Sequence, residues 1–157
     1  MNRGDVSQGL GLIPSGIFVL AATDGEQKSA MLASFVQQAD FEPPTSVVAV
    51  QHARPIRLMI ENSETFVISI MGKDSTESLR KFWKGVPEGT DPFEGLGTRS
   101  YDTGIPVLND AVGFLECKLK AKVEAGDPMV LVGEVLNGGR LGDGEPLVRI
   151  RKDGFEY

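Results

Sequence analysis

Leu115–Glu124, LECKLKAKVE, alternates apolar and charged residues without a break. Leu115, Cys117, Leu119, Ala121 and Val123 fall on one side; Glu116, Lys118, Lys120, Lys122 and Glu124 fall on the other. Successive side chains of a strand point to opposite faces, so the pattern predicts a half-buried antiparallel strand. Gly126-Asp127 then turns the chain into Met129–Leu136, which is apolar on both faces and needs cover on both. Val47–Val50 and Phe66–Met71 read the same way. Several two-faced strands in 157 residues predict a mainly β fold, an antiparallel barrel with a few short helices. One face of the sheet fills the barrel, and the other meets a helix or a second subunit.

Working outward, Ile13–Ala22 is an apolar, β-branched run that predicts a strand, closed by the turn signal Thr23-Asp24-Gly25. A second strand is expected over Ser29–Gln38, followed by a stop at Pro43-Pro44 and a third strand ending near Gln51. One short helix opens at Arg54-Pro55, with proline suited to the first helical position and Ile56, Met59 and Ile60 on one face. Another opens at Asp74, with Glu77 three residues on in a capping-box-like arrangement. Leu79, Phe82 and Trp83 follow at helical spacing, and Gly85 stops the run. Residues 86–97, VPEGTDPFEGLG, form a long Gly/Pro-rich loop of the kind that covers sites. Residues 1–10 read as a flexible arm, and nothing marks a second domain, so residues 1–157 are expected to be one unit.

The 41% apolar content is that of an ordinary globular protein. A net charge of −6 disfavours nucleic acid as a partner, because phosphate backbones select an excess of Lys and Arg; any anion site must be local. No apolar run approaches the roughly 18 residues that span a bilayer, and MNRGDVSQG does not read as a secretory signal, so no membrane partner and a cytoplasmic protein are expected. A single cysteine, Cys117, and a single histidine, His52, leave no internal disulfide and no multi-Cys or multi-His metal centre, so no metal is expected. Cys117, on the apolar side of its strand with no base in view, reads as an inert core residue.

The stretch from Lys28 to Pro55 carries most of the chemistry. A strand edge, Met31-Leu32, runs into the hydroxyl of Ser34, the aromatic Phe35 and the paired amides Gln37 and Gln38. The following strand ends in His52 and Arg54. Amides and small side chains read the polar edge of a flat heterocycle, and a cation beside a helix start holds phosphate. On composition alone the same three polar residues read more simply as solvent-facing strand positions, and Arg54 equally as a surface charge.

Taken in order, IPSGIFVLAA (13–22), LASFVQQADFEPP (32–44), SVVAV (46–50), RKFWKG (80–85), PVLNDAVGFLEC (106–117), Gly126-Asp127, VGEV (132–135) and PLVRIRKDGFEY (146–157) resemble the flavin reductase-like family of the FMN-binding split-barrel fold. The resemblance runs from about Ile13 to Tyr157. It implies a Greek-key-like antiparallel barrel, a homodimer, and one flavin per subunit, FMN or alternatively FAD. It also implies an NAD(P)H:flavin oxidoreductase in which NADH or NADPH is the hydride donor and reduced flavin or electrons pass to a partner oxygenase or other acceptor. The cofactor-binding positions it implies are Met31, Leu32, Ala33, Ser34, Gln37, Gln38, Ala39, Gln51, His52, Arg54, Pro55, Trp83 and Phe155. Phe82 with Trp83 packs the helix onto the barrel or touches flavin, Lys81 and Lys84 add local positive charge or are solvated, and Tyr157 joins Phe155 in an aromatic tail. No catalytic acid–base residue is implied, since hydride transfer between cofactors asks for orientation and electrostatics. One position departs: Pro128 follows Gly126-Asp127 where many such reductases carry His. With no dinucleotide fingerprint in the chain, that leaves open an electron carrier that holds flavin without oxidising nicotinamide.

Overall fold

The computed structural model of the chain describes residues 1–156. In order it forms α1 (Arg3–Gly11), β1 (Ser15–Gly16), β2 (Phe18–Asp24), β3 (Gln27–Ala33), β4 (Val36–Phe41), β5 (Pro44–Gln51), α2 (Pro55–Ser63), β6 (Thr65–Ile70) and α3 (Thr76–Lys84). Then follow β7 (Thr98–Arg99), β8 (Val107–Leu108), β9 (Gly113–Glu124), β10 (Pro128–Arg140) and β11 (Val148–Arg149). Seven strands make one antiparallel sheet in the order β3-β2-β6-β9-β10-β5-β4. Its two edge strands, β3 and β4, are joined through Ser34 and Phe35 alone, so the sheet curls until its edges meet at that corner without pairing. The barrel is split, not fully closed.

The single strand expected over Ser29–Gln38 is therefore two. Ala33 pairs with Phe18 of β2, whereas Val36 pairs with Val48 of β5, and the chain changes edge in the two residues between. The Pro43-Pro44 stop is the turn of a hairpin in which Phe41 faces Pro44.

Alternation along the shared strands builds two cores. Leu20, Phe66, Ile68, Cys117 and Leu131 pack inside the barrel with Ile56 and Ile60 of α2. Val19, Ala21 and Val67 face outward and are covered by Phe82 of α3 and by Phe93, Ile105, Val107 and Leu108. The second apolar face is thus covered within the chain.

Three local expectations change. Residues 3–11 are a helix capped by the Asn2 side chain, not a loose arm. The helix is tied to the chain end, because Ser7 Oγ donates to Asp153 and Gly154 N–H donates to Ser7 O. A Cβ on Gly154 would lie 2.3 Å from Leu10 Cβ, so this approach requires glycine. The N-terminus of α3 is not served by a capping box from Asp74. Its N-cap is Ser75, whose hydroxyl is used by Gly72 N–H and Asp110 O, and the Asp110 carboxylate accepts from the Ser78 N–H and hydroxyl instead. Gly85 ends the helix at φ +82°, a conformation natural only to glycine. In β9, Glu116 is not on a solvated face: it is 0% exposed, covered by residues 101–104. Conversely Val123 is 52% exposed, where β9 and β10 run beyond the barrel wall.

Candidate functional site

A cleft of about 1430 Å³ opens along the split. Its walls are β3 with Ser34, the end of β5 running into the start of α2, the end of α3 with residues 85–92, and Arg149 and Arg151 near the chain end. The split places it here: the β3–β4 corner leaves one barrel seam unpaired, and α3 and its following loop stand across from it.

Ser34 is the most telling atom of the wall. Its Oγ is buried and has no hydrogen-bond partner, the one such side-chain atom among the described residues. Buried hydroxyls are almost always paired, because an unpaired one loses its water without replacement. Ser34 is a lining residue of the cleft, and a polar ligand edge there is a partner that would satisfy its hydroxyl.

At the other end, Gln51, Ala53, Arg54, Pro55 and Ile56 line the cleft where β5 becomes α2. Arg54 is the N-cap and makes no side-chain cap hydrogen bond, Pro55 sits in the first helical positions, and the first turn holds no acidic residue. A helix N-terminus with a neighbouring guanidinium and no competing carboxylate is suited to a phosphate. Five cationic side chains, Lys28, Arg54, Lys84, Arg149 and Arg151, face three carboxylates, Glu26, Glu88 and Asp91, around the cleft of a chain whose net charge is −6. Lys28 pairs with Asp91 at 3.6 Å and so links β3 to the loop opposite. Arg149 lies over the Trp83 ring at 4.9 Å, and Arg151 lies over Phe35 at 5.3 Å while donating to the carbonyls of Gly154 and Leu10.

The cleft brings together Met31, Leu32, Ala33, Ser34, Gln51, Arg54, Pro55 and Trp83 of the expected positions. It does not include Gln37, Gln38, Ala39, His52 or Phe155. Gln37 and Gln38 follow the corner onto the other edge of the sheet and border a separate cavity of about 390 Å³ with Phe18, Leu115 and Val135. Gln38 Nε2 donates to Asp40 O, and Ala39 is exposed on the same strand. His52 offers its carbonyl to Arg57 Nε. Phe155 lies beneath the Arg3 guanidinium, 4.1 Å from its ring centre, against α1; Tyr157 lies outside the described residues. Phe82 is buried edge-on to Phe93, packing the helix onto the barrel, and lines the cleft as well. Lys81 is not simply solvated, since its Nζ donates to Glu94 O. Burial, and then the neighbouring Glu116, push the Cys117 thiol up to about 12, which leaves it protonated and inert. Sequence reasoning missed Lys28, Arg149 and Arg151. The last two carry a signal: VRIR, 148–151, alternates apolar and basic residues, which in an extended chain puts both guanidinia on one side, and both line the cleft. Among the described residues no group of three or more His, Cys, Asp or Glu could hold a metal, and no helix is long and apolar enough to cross a membrane.

The comparisons fit this geometry. Among solved structures, the fold is similar to the NADH:FAD oxidoreductase SgcE6 of Streptomyces globisporus, with a TM-score of 0.85 and 22% identity over 99% of this chain and 91% of that one. It is similar also to the styrene monooxygenase flavin reductase of Pseudomonas putida S12, with a TM-score of 0.78 and 21% identity over 92% of each chain. In sequence, the chain is 36% identical over 156 residues to diflavin flavoprotein A 1 of Synechocystis sp., which covers 98% of this chain and 27% of that protein. The chain thus spans about a quarter of the length of the curated relatives it matches. The family model described as "Flavin reductase like domain" matches residues 10–155, and the chain belongs to that family.

Proposed function

We propose that the chain binds FMN in the split cleft and acts as an NAD(P)H:flavin oxidoreductase. The observation that carries this reading is a cationic cleft that ends at the α2 N-terminus and is lined by Ser34, whose buried hydroxyl has no protein partner. Bound flavin supplies a two-electron acceptor for the hydride of reduced nicotinamide. Ser34 meets the polar edge of the ring, Met31, Leu32 and Ala33 wall it, and Arg54 with the first turn of α2 holds the phosphate. Trp83, stacked by Arg149, closes the opposite wall. The cleft exceeds the roughly 300–1000 Å³ of ordinary small-ligand sites, which leaves room for a nicotinamide dinucleotide beside FMN, or for FAD. A second copy of the chain is expected against the exposed side chains of Phe41 and Leu136, near the smaller cavity. A partner oxygenase or other acceptor would take the reduced flavin or its electrons.

A second reading is an electron carrier that keeps its flavin and takes electrons from a partner protein. Pro128 favours it, for this residue pairs with Gln51 at the rim of the cleft, where many family members carry His. A visible spectrum of the purified protein incubated with FMN, recorded before and after anaerobic NADH and then NADPH, separates the readings. Yellow bands that bleach support the reductase. Bands that persist with both donors favour the carrier, and a protein that neither retains FMN nor turns over free flavin has neither function.

A further inference from the structure

The turn that delivers Arg54 to the cleft is held from behind by a side chain that does not line the cleft. Arg54 N–H donates to Gln51 O at 3.0 Å, and Arg57 N–H donates to Arg54 O at 3.1 Å. Arg57 Nε reaches back to His52 O at 3.3 Å, while its Nη1 donates to Glu61 Oε1 one helical turn on at 3.0 Å. The same Glu61 oxygen lies 3.5 Å from Lys122 Nζ on β9. Arg57 and Glu61 side chains are each 15% exposed, so the pair is shielded from the solvent and salt that weaken surface pairs. A planar guanidinium is suited to such a task, because its fixed fork of donors can hold a carbonyl and a carboxylate at once.

We propose that Arg57 is a positioning residue for the phosphate end of the cleft, fixing the Gln51–Arg54 turn between α2 and, through Glu61 and Lys122, the wall of the barrel. This rests on the proposed phosphate contact of Arg54. An isolated turn of this kind would let the Arg54 backbone rotate, and the N-terminus of α2 would no longer be aimed at the ligand. The brace removes that freedom before ligand arrives, so less ordering is left to oppose binding.

The test compares dissociation constants for FMN and riboflavin, which differ only in the phosphate, in the wild type and in Arg57→Met, Arg57→Lys, Glu61→Gln, Arg54→Ala and Arg54→Ala/Arg57→Met. Loss of one charged hydrogen bond predicts that Arg57→Met weakens FMN about tenfold while riboflavin stays within about twofold. Arg57→Lys keeps the charge but cannot hold both acceptors, and stays weak. The double variant binds FMN no more weakly than Arg54→Ala alone, because there is no longer a contact to position. Glu61→Gln gives the same selective loss, smaller in size, and serves if Arg57→Met fails to fold. Equal losses for FMN and riboflavin, full rescue by lysine, or additive effects in the double variant each overturn the brace. A wild type that does not prefer FMN to riboflavin overturns the phosphate reading itself, a separate failure.

Discussion

A buried hydroxyl with no partner costs a fold roughly 1–3 kcal/mol, and Ser34 Oγ has no protein partner. Ser34→Ala removes that penalty. The variant without flavin is expected to melt a few degrees higher than the wild type, at about 2–4 °C per kcal/mol for a domain of this size. Its stabilisation by added FMN is expected to shrink. Thermal unfolding with and without FMN reads both effects, and a lower melting point for the flavin-free variant would show that the hydroxyl already has a partner. Arg54 carries the complementary expectation. Arg54→Ala should weaken FMN by about 10- to 100-fold and riboflavin hardly at all, the span expected for a charge-assisted hydrogen bond. Equal losses in a fluorescence titration would remove Arg54 from the phosphate. At this scale the sequence shows residue types and neighbours in the chain: Ser34, Gln51 and Arg54 are legible as cleft positions because strand and helix start are local. It does not show that Gln37, only three residues beyond Ser34, lies on the other edge of the sheet. That depends on which strands pair.

Elements show where a periodic pattern stops being a guide to burial. In β9 the alternation correctly predicts a strand, yet Glu116 on its charged side is fully buried. The segment after β7 folds over it: Thr103 donates through its N–H and hydroxyl, Asp102 through its N–H, and Asn137 of β10 through its amide. Tyr101 stacks on Phe114 at 4.1 Å beside this cover. Burial by itself would raise the Glu116 carboxyl, but the donors from Thr103, Asn137 and Asp102 outweigh it and hold the group below the usual carboxylate range. The sign for stability follows from linkage. The unfolded chain takes up its proton near the ordinary glutamate value, about 4.3, and the folded chain only at lower pH. The contribution of Glu116 is therefore fully present above that value and is lost as pH falls through the folded one. Glu116→Gln keeps the shape and removes the charge. It is expected to cost about 1–3 kcal/mol at pH 7 and to flatten the fall in stability between about pH 5 and 3. Urea unfolding across that range checks it, with Asp153, also held low by Ser7 and the Phe155 N–H, leaving some residual slope. An unchanged slope would show that the carboxylate is not held in its charged form. The helices follow the same lesson. α2 was legible from Arg54-Pro55 and the spacing of Ile56 and Ile60, whereas the cap of α3 comes from Asp110, more than thirty residues away, and no local signal announces it.

At the scale of the whole molecule, β2 and β6 belong to both cores, since Leu20, Phe66 and Ile68 point into the barrel and Val19, Ala21 and Val67 point under α3. Two-faced strands were legible as apolar runs, and the order of motifs pointed to the family. A split barrel was implied by that resemblance; where it splits was not legible, because that is set by the unpaired meeting of β3 and β4. The sharing of strands has a thermodynamic consequence: neither core can dissolve while the other persists. Phe66, 0% exposed in the barrel, and Phe93, 5% exposed under α3, report on the two sides. Each Phe→Ala change should cost about 3–5 kcal/mol and lower the melting point by roughly 10 °C. In both variants the loss of near-ultraviolet and far-ultraviolet circular dichroism should coincide in one transition. Flavin should tell them apart below that transition. Phe93 anchors the loop that forms one wall of the cleft, directly after Pro92, so Phe93→Ala should weaken FMN. Phe66 lies in the barrel core and not on the cleft, so Phe66→Ala should leave FMN binding nearly unchanged at the same temperature. Two separate transitions in either variant would show that the cores unfold independently, and the cleft would then lie between a stable barrel and a wall able to melt alone.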